Sequence, residues 1–86
     1  MLIVKRYTAT WCNPCKQLAP SFEELQREIT EAQFQTIDVD QNKDIALEKG
    51  ISSVPTVVLE KEGTPVYRFS GVLPKSTIAG IIRKYL

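Results

Sequence analysis

Histidine is absent from this 86-residue chain, and cysteine occurs only twice. A structural zinc site draws about four ligands from cysteine and histidine, so this chain cannot close one by itself, and no metal is expected. No stretch approaches the ~20 consecutive apolar residues of a membrane-spanning helix. The segment from Met1 to Tyr7 is too short for the apolar core of a secretion signal. With neither feature, the chain is expected in the cytoplasm and without a membrane partner. Charge bias is missing too, since 11 Lys and Arg face 10 Asp and Glu for a net charge of +1. Proteins that hold nucleic acid rely on clustered basic residues that displace counterions. Here only Lys5-Arg6 and Arg83-Lys84 sit side by side, and they read as a solvated strand start and a favourable charge at a helix C-terminus. Nucleic acid is therefore not an expected partner. Repeats, linkers and low-complexity stretches are also lacking. A chain this short fills one core at most, so a single domain over residues 1–86, acting as a monomer, is expected.

What is present is enough to build that core, because 43% of the residues are apolar, close to the globular average. Leu2 to Tyr7 reads as a strand. From Cys12 onward, Leu18, Phe22, Leu25 and Ile29 recur at helical spacing and predict a helix of about five turns that buries one face. Pro20 lies inside it and removes one backbone hydrogen bond, so a kink is expected there, but no break, because the apolar stripe continues on both sides. Phe34 to Val39 alternates as a second strand. Asn42 is placed to cap a short helix over Lys43–Lys49 that Gly50 stops. Val54 to Leu59 reads as a third strand, Glu62-Gly63-Thr64 as a turn, and Pro65 to Phe69 as a fourth strand. A last helix begins near Pro74 and buries Ile78, Ile81, Ile82 and Tyr85. The order β-α-β-α-β-β-α predicts an α/β domain of three layers, α/β/α, around a four-stranded mixed sheet.

The chemistry centres on Cys12 and Cys15. Residues three apart in a helix share a face, so the two sulfurs can meet across the first turn. Cys12 would sit at the helix N-terminus, where unpaired N–H groups and the positive end of the dipole favour a thiolate. Cys15, tethered beside it, could resolve a mixed disulfide at high effective concentration. A purely structural disulfide of this spacing would close too small a loop to restrain the unfolded chain. Two inert buried cysteines would leave the adjacent Trp11 and the intervening Pro14 without a reason.

At this point the sequence resembles the thioredoxin family. The likeness rests on Trp11-Cys12-Asn13-Pro14-Cys15-Lys16, on Pro20, on Val39-Asp40-Gln41-Asn42, on Gly50-Ile51-Ser52-Ser53-Val54-Pro55-Thr56 and on Phe69-Ser70-Gly71-Val72, in the family's order and spacing. The resemblance implies a minimal thioredoxin-like fold that reduces protein disulfides by dithiol–disulfide exchange and needs no cofactor. Disulfide-containing proteins would be its substrates, and a thioredoxin reductase or another electron donor would recycle it. It also implies that Cys12 is the exposed attacking sulfur and Cys15 the more buried resolving one, and that Pro55 is a cis-proline facing them. Trp11, Asn13, Pro14 and Pro55 would support the site, while Ser53, Val54, Gly71 and Val72 would contact substrate. The backbone of Val54 would pair with an extended substrate segment. Glutaredoxin-like use of glutathione and a non-catalytic binding subunit are the alternatives. The chain departs from the family in beginning at the strand that leads into the cysteines, so the usual first strand and helix are expected to be absent. Arg6 stands where an acid is usual, Thr36 where its lysine partner is usual, and Asn13 where glycine is usual.

Overall fold

A computed structural model describes residues 1–86. The elements are β1 (Leu2–Thr8), α1 (Asn13–Glu28), β2 (Ala32–Asp38), α2 (Lys43–Glu48), β3 (Thr56–Lys61), β4 (Thr64–Ser70) and α3 (Lys75–Lys84). One sheet of order β2-β1-β3-β4 contains the four strands, with β1 and β2 parallel and the β1–β3 and β3–β4 pairs antiparallel. The long crossover through α1 is what permits the parallel pair. Between β3 and β4 a two-residue turn, Glu62-Gly63, has positive φ at both positions (51° and 78°), the conformation that matches the twist of a hairpin and that glycine adopts without penalty. Thr64, expected in the turn, is already the first residue of β4.

Alternation along the strands separates two chemically different faces. Leu2 and Val4 of β1, with Val57 and Leu59 of β3, meet Leu18, Phe22 and Leu25 of α1, Ile29 at its C-cap, and Ile78, Ala79 and Ile82 of α3 in one continuous core. All four predicted apolar positions of α1 are in it, and the helix runs unbroken through Pro20. On the opposite face lie Lys5, Tyr7, Val58 and Glu60. Lys5 is not the solvated strand residue that its basic neighbour suggested: its Nζ lies 3.0 Å from Oε1 of Glu60, which is only 3% exposed. A carboxylate buried that deeply requires a charged partner.

Two local readings are corrected. The third strand starts at Thr56, and Val54 and Pro55 precede it in a loop, because the Val54–Pro55 peptide is cis and turns the chain before the ladder begins. Asn42 occupies the cap position of α2 but makes no capping bond; its Nδ2 donates instead to the carbonyl of Asp38 at 2.9 Å. The turn is held by Asp38 as well, whose Oδ1 accepts the N–H groups of Asp40 (2.8 Å) and Gln41 (3.3 Å). Gly50 does end α2 as expected, with φ of 68°.

Candidate active site

Strand β1 delivers the chain to Ala9, whose carbonyl accepts the N–H of Cys12 at 3.2 Å. Cys12 is then the N-cap of α1, in extended conformation, and its Sγ accepts the N–H of Cys15 at 3.2 Å. The sulfur thus does the work that a serine or aspartate oxygen does at other helix starts. Asn13 and Pro14 are the first two helical residues and are exposed; a proline costs nothing there because the N–H it lacks would have had no partner. Cys12 and Cys15 are joined by a disulfide, with Cα atoms 5.3 Å apart. No acidic side chain lies in the first turn of α1 to oppose a thiolate.

The second wall comes from the loop between α2 and β3. Cys12 Sγ lies 3.6 Å from the carbonyl oxygen of Val54, and cis Pro55 is buried beside it. That loop is fixed from below: the Thr56 hydroxyl donates to the carbonyl of Ser53 at 2.7 Å and pairs with the Ser70 hydroxyl at 2.9 Å. The N–H of Gly71 donates to the carbonyl of Pro55 at 3.0 Å, and Val72, the next residue, is 45% exposed. Trp11, the one tryptophan of the chain, is 66% exposed and belongs to no core. Its Nε1 donates to Oδ2 of Asp40 at 2.7 Å. Trp11, Val39, Ile51, Ser52, Ser53 and Val54 line a shallow groove of about 140 Å³ next to the cysteines. A larger polar hollow of about 380 Å³ lies over Asp40–Ile45, away from the sulfurs.

The fold therefore gathers Trp11, Cys12, Asn13, Pro14 and Cys15 at one helix start and sets Ser53, Val54 and Pro55 against them. One expectation is corrected. Cys12 is only 4% exposed against 2% for Cys15, because in the disulfide form both sulfurs pack with Ala9, Val39 and Val54. Sequence reasoning assigned no role to Asp40, Val39 or Ile51. The Val39-Asp40 pair was visible as a motif, but nothing local indicates that Asp40 reaches across to an indole 29 residues earlier.

Arg6 does not lie free. Its register partner on β2 is Thr36, and its Nη2 donates to Thr36 Oγ1 at 3.2 Å while the guanidinium covers the Phe22 ring at 5.4 Å from the centroid. The two departures from the family pattern are bonded to each other. Burial lowers the Arg6 pKa from its ordinary value, and Glu23 opposes that shift.

A CxxC disulfide at the start of a helix that follows a β-strand, facing a cis-proline loop, defines a thiol–disulfide oxidoreductase on a four-stranded α/β scaffold. Comparisons with known proteins give the family. The thioredoxin family model matches residues 1–84. Thioredoxin of Listeria monocytogenes is 37% identical over 86 residues, which cover 99% of this chain and 84% of the relative. That of Staphylococcus saprophyticus is 40% identical over 81 residues, covering 93% and 78%. Among solved structures, Fasciola hepatica thioredoxin superposes with a TM-score of 0.92 at 39% identity, covering 99% of this chain and 81% of that one. A Nicotiana alata thioredoxin gives 0.91 at 38%, covering 96% and 71%. The chain belongs to the thioredoxin family and reduces protein disulfides by dithiol–disulfide exchange through Cys12-Asn13-Pro14-Cys15.

Proposed function

We propose that Cys12 is the attacking sulfur and Cys15 the resolving one. In the reduced protein the Cys12 thiolate attacks one sulfur of a target disulfide, forming a mixed disulfide and expelling the other sulfur as a thiolate that takes up a proton. The Cys15 thiolate then attacks Cys12 Sγ, closing the internal disulfide and releasing the second target thiol. Two electrons and two protons pass to the target, and a reductase returns them to the cysteines. The observation that carries this assignment is the N–H of Cys15 pointing at Cys12 Sγ at 3.2 Å. That donor and the helix N-terminus favour negative charge on Cys12 and so its role as the first nucleophile.

Trp11, Pro14, Val54 and Val72 form the apolar collar that receives the target, with Ser53 and Gly71 flanking it. Val54 offers its backbone to an extended target segment by strand addition. Asn13 and Pro55 support the sulfurs. The protein acts as a monomer in the cytoplasm, takes electrons from a thioredoxin reductase, and has neither nucleic acid nor membrane as a partner. No helix is long and apolar enough to cross a membrane. Insulin-disulfide reduction with dithiothreitol as donor tests the activity without knowledge of a natural target. Wild type accelerates insulin precipitation and Cys12→Ser does not; equal rates overturn the proposal. Turnover with thioredoxin reductase but not with glutathione identifies the donor.

A further inference from the structure

The groove beside the cysteines has a wall whose two ends are held unequally. Ser53 to Pro55 is fixed by the hydroxyls of Thr56 and Ser70 and by the N–H of Gly71. The upstream end, Gly50 to Ser52, emerges from α2, a helix of six residues with only Ala46 buried, Leu47 83% exposed and Ile45 41% exposed. A helix of that length has no stability of its own and must be held by tertiary contacts. Within its own chain segment, the carbonyls of Ile45, Ala46 and Leu47 accept the N–H groups of Lys49, Ile51 and Gly50. The carbonyls of Lys49 and Gly50 accept from a single distant side chain. Arg68 Nη1 donates to Lys49 O at 3.3 Å and Nη2 to Gly50 O at 2.8 Å.

Arg68 is well placed for this. It lies in the ladder of β4 opposite Val58 of β3, so its backbone belongs to the sheet. Its planar guanidinium presents two parallel donors to two successive carbonyls, and its charge faces the negative end of α2. Its ladder partner Val58 points away from the apolar core, which puts Arg68 on the same sheet face as Lys5, Tyr7 and Glu60. No other side chain bonds to the backbone of Lys49 to Ser52.

We propose that Arg68 is a positioning residue for substrate recognition. It clamps the C-terminus of α2 to the sheet and so holds Ile51 and Ser52, the upstream half of the groove wall, in register with Trp11. It touches neither sulfur, so it acts on how a protein target is held and not on exchange itself. The inference rests on the groove reading given above.

The test compares a protein disulfide, insulin, with a small aromatic disulfide that needs no groove, using wild type, Arg68→Ala and Arg68→Lys. Arg68→Ala is expected to raise KM for insulin about fivefold with kcat within about twofold, and to leave the small-disulfide rate within about twofold. Arg68→Lys, with a point charge and no fork, restores part of the loss. Hydrogen exchange of the Gly50–Val54 amides should quicken in Arg68→Ala while those of β1 and β3 do not change, a readout that general destabilisation would not give. Trp11→Ala and Val54→Asp are run in parallel. If they raise KM for insulin and Arg68→Ala does not, this inference fails and the groove reading stands. If none of the three changes KM, the groove reading itself fails. A fall in both substrates' rates with faster exchange throughout the sheet also overturns the proposal. Should Arg68→Ala not fold, Arg68→Lys alone decides through the same KM and exchange measurements.

Discussion

At the scale of single residues, the site is built from short-range geometry plus a few long reaches. The pair Cys12 and Cys15 was legible because spacing and a strand-to-helix junction suffice to bring the sulfurs together. Asp40 was not, because a hydrogen bond between residues 29 apart depends on how β2 ends relative to β1. The Trp11–Asp40 bond makes a direct prediction. In Asp40→Ala the indole loses its acceptor, so the fluorescence anisotropy of this sole tryptophan should fall, while stability changes by less than about 0.5 kcal/mol, as at other exposed positions. Unchanged anisotropy would mean that packing against Val39 and Ile51, and not Asp40, orients the ring. Arg6 offers a second test. Arg6→Asp uncovers Phe22, removes the donor to Thr36 and brings a carboxylate toward Glu23, so a loss of about 1–3 kcal/mol is expected in denaturant unfolding. Arg6→Met keeps the cover over Phe22 and removes a buried Nε that has no partner, so a change under about 1 kcal/mol is expected. Equal stability of Arg6→Asp and wild type would contradict this reading of the pair.

At the scale of elements, α1 and α3 were readable from apolar periodicity because both bury a full stripe in the core. The start of β3 was not, since a cis peptide at Val54–Pro55 is invisible to alternation. Nor was the role of Lys5, because its ion partner Glu60 lies on a strand 55 residues later in the chain. The two core helices are also joined on the surface: Lys75, the first residue of α3, reaches Glu28 at 2.5 Å and Glu24 at 3.3 Å on α1. The hydrogen bond from Lys75, the largest cause, lowers the Glu28 pKa from its ordinary 4.5. The same bond raises that of Lys75 above 10.5. The depressed carboxylate stabilises the fold above pH 4.5 and stops doing so as pH falls through its folded value; the raised ammonium stabilises it below pH 10.5 and stops as pH rises beyond. Lys75→Met should therefore have a lower Tm than wild type at neutral pH, with the difference closing as acid protonates Glu28 and in high salt. A difference that widens in acid would contradict the assignment.

At the scale of the whole molecule, the scaffold is asymmetric, with one sheet face carrying the apolar core and the other the Lys5–Glu60 pair, whose carboxylate is buried. Element order, sheet composition and the family were legible in the sequence, because β-α-β followed by a hairpin admits few topologies. How the recognition groove is held was not, since it depends on Arg68, a side chain in β4 that no spacing rule connects to α2. The cysteines lie at the end of this scaffold where β1 hands over to α1, and the mechanism turns on which sulfur makes the first bond. The most direct measurement is to incubate reduced Cys15→Ser and, separately, reduced Cys12→Ser with insulin and map any covalent adduct by mass spectrometry. The account predicts a stable mixed disulfide through Cys12 in Cys15→Ser and none in Cys12→Ser. An adduct through Cys15 alone, or no adduct in Cys15→Ser when Cys12 is shown to be reduced, would contradict it.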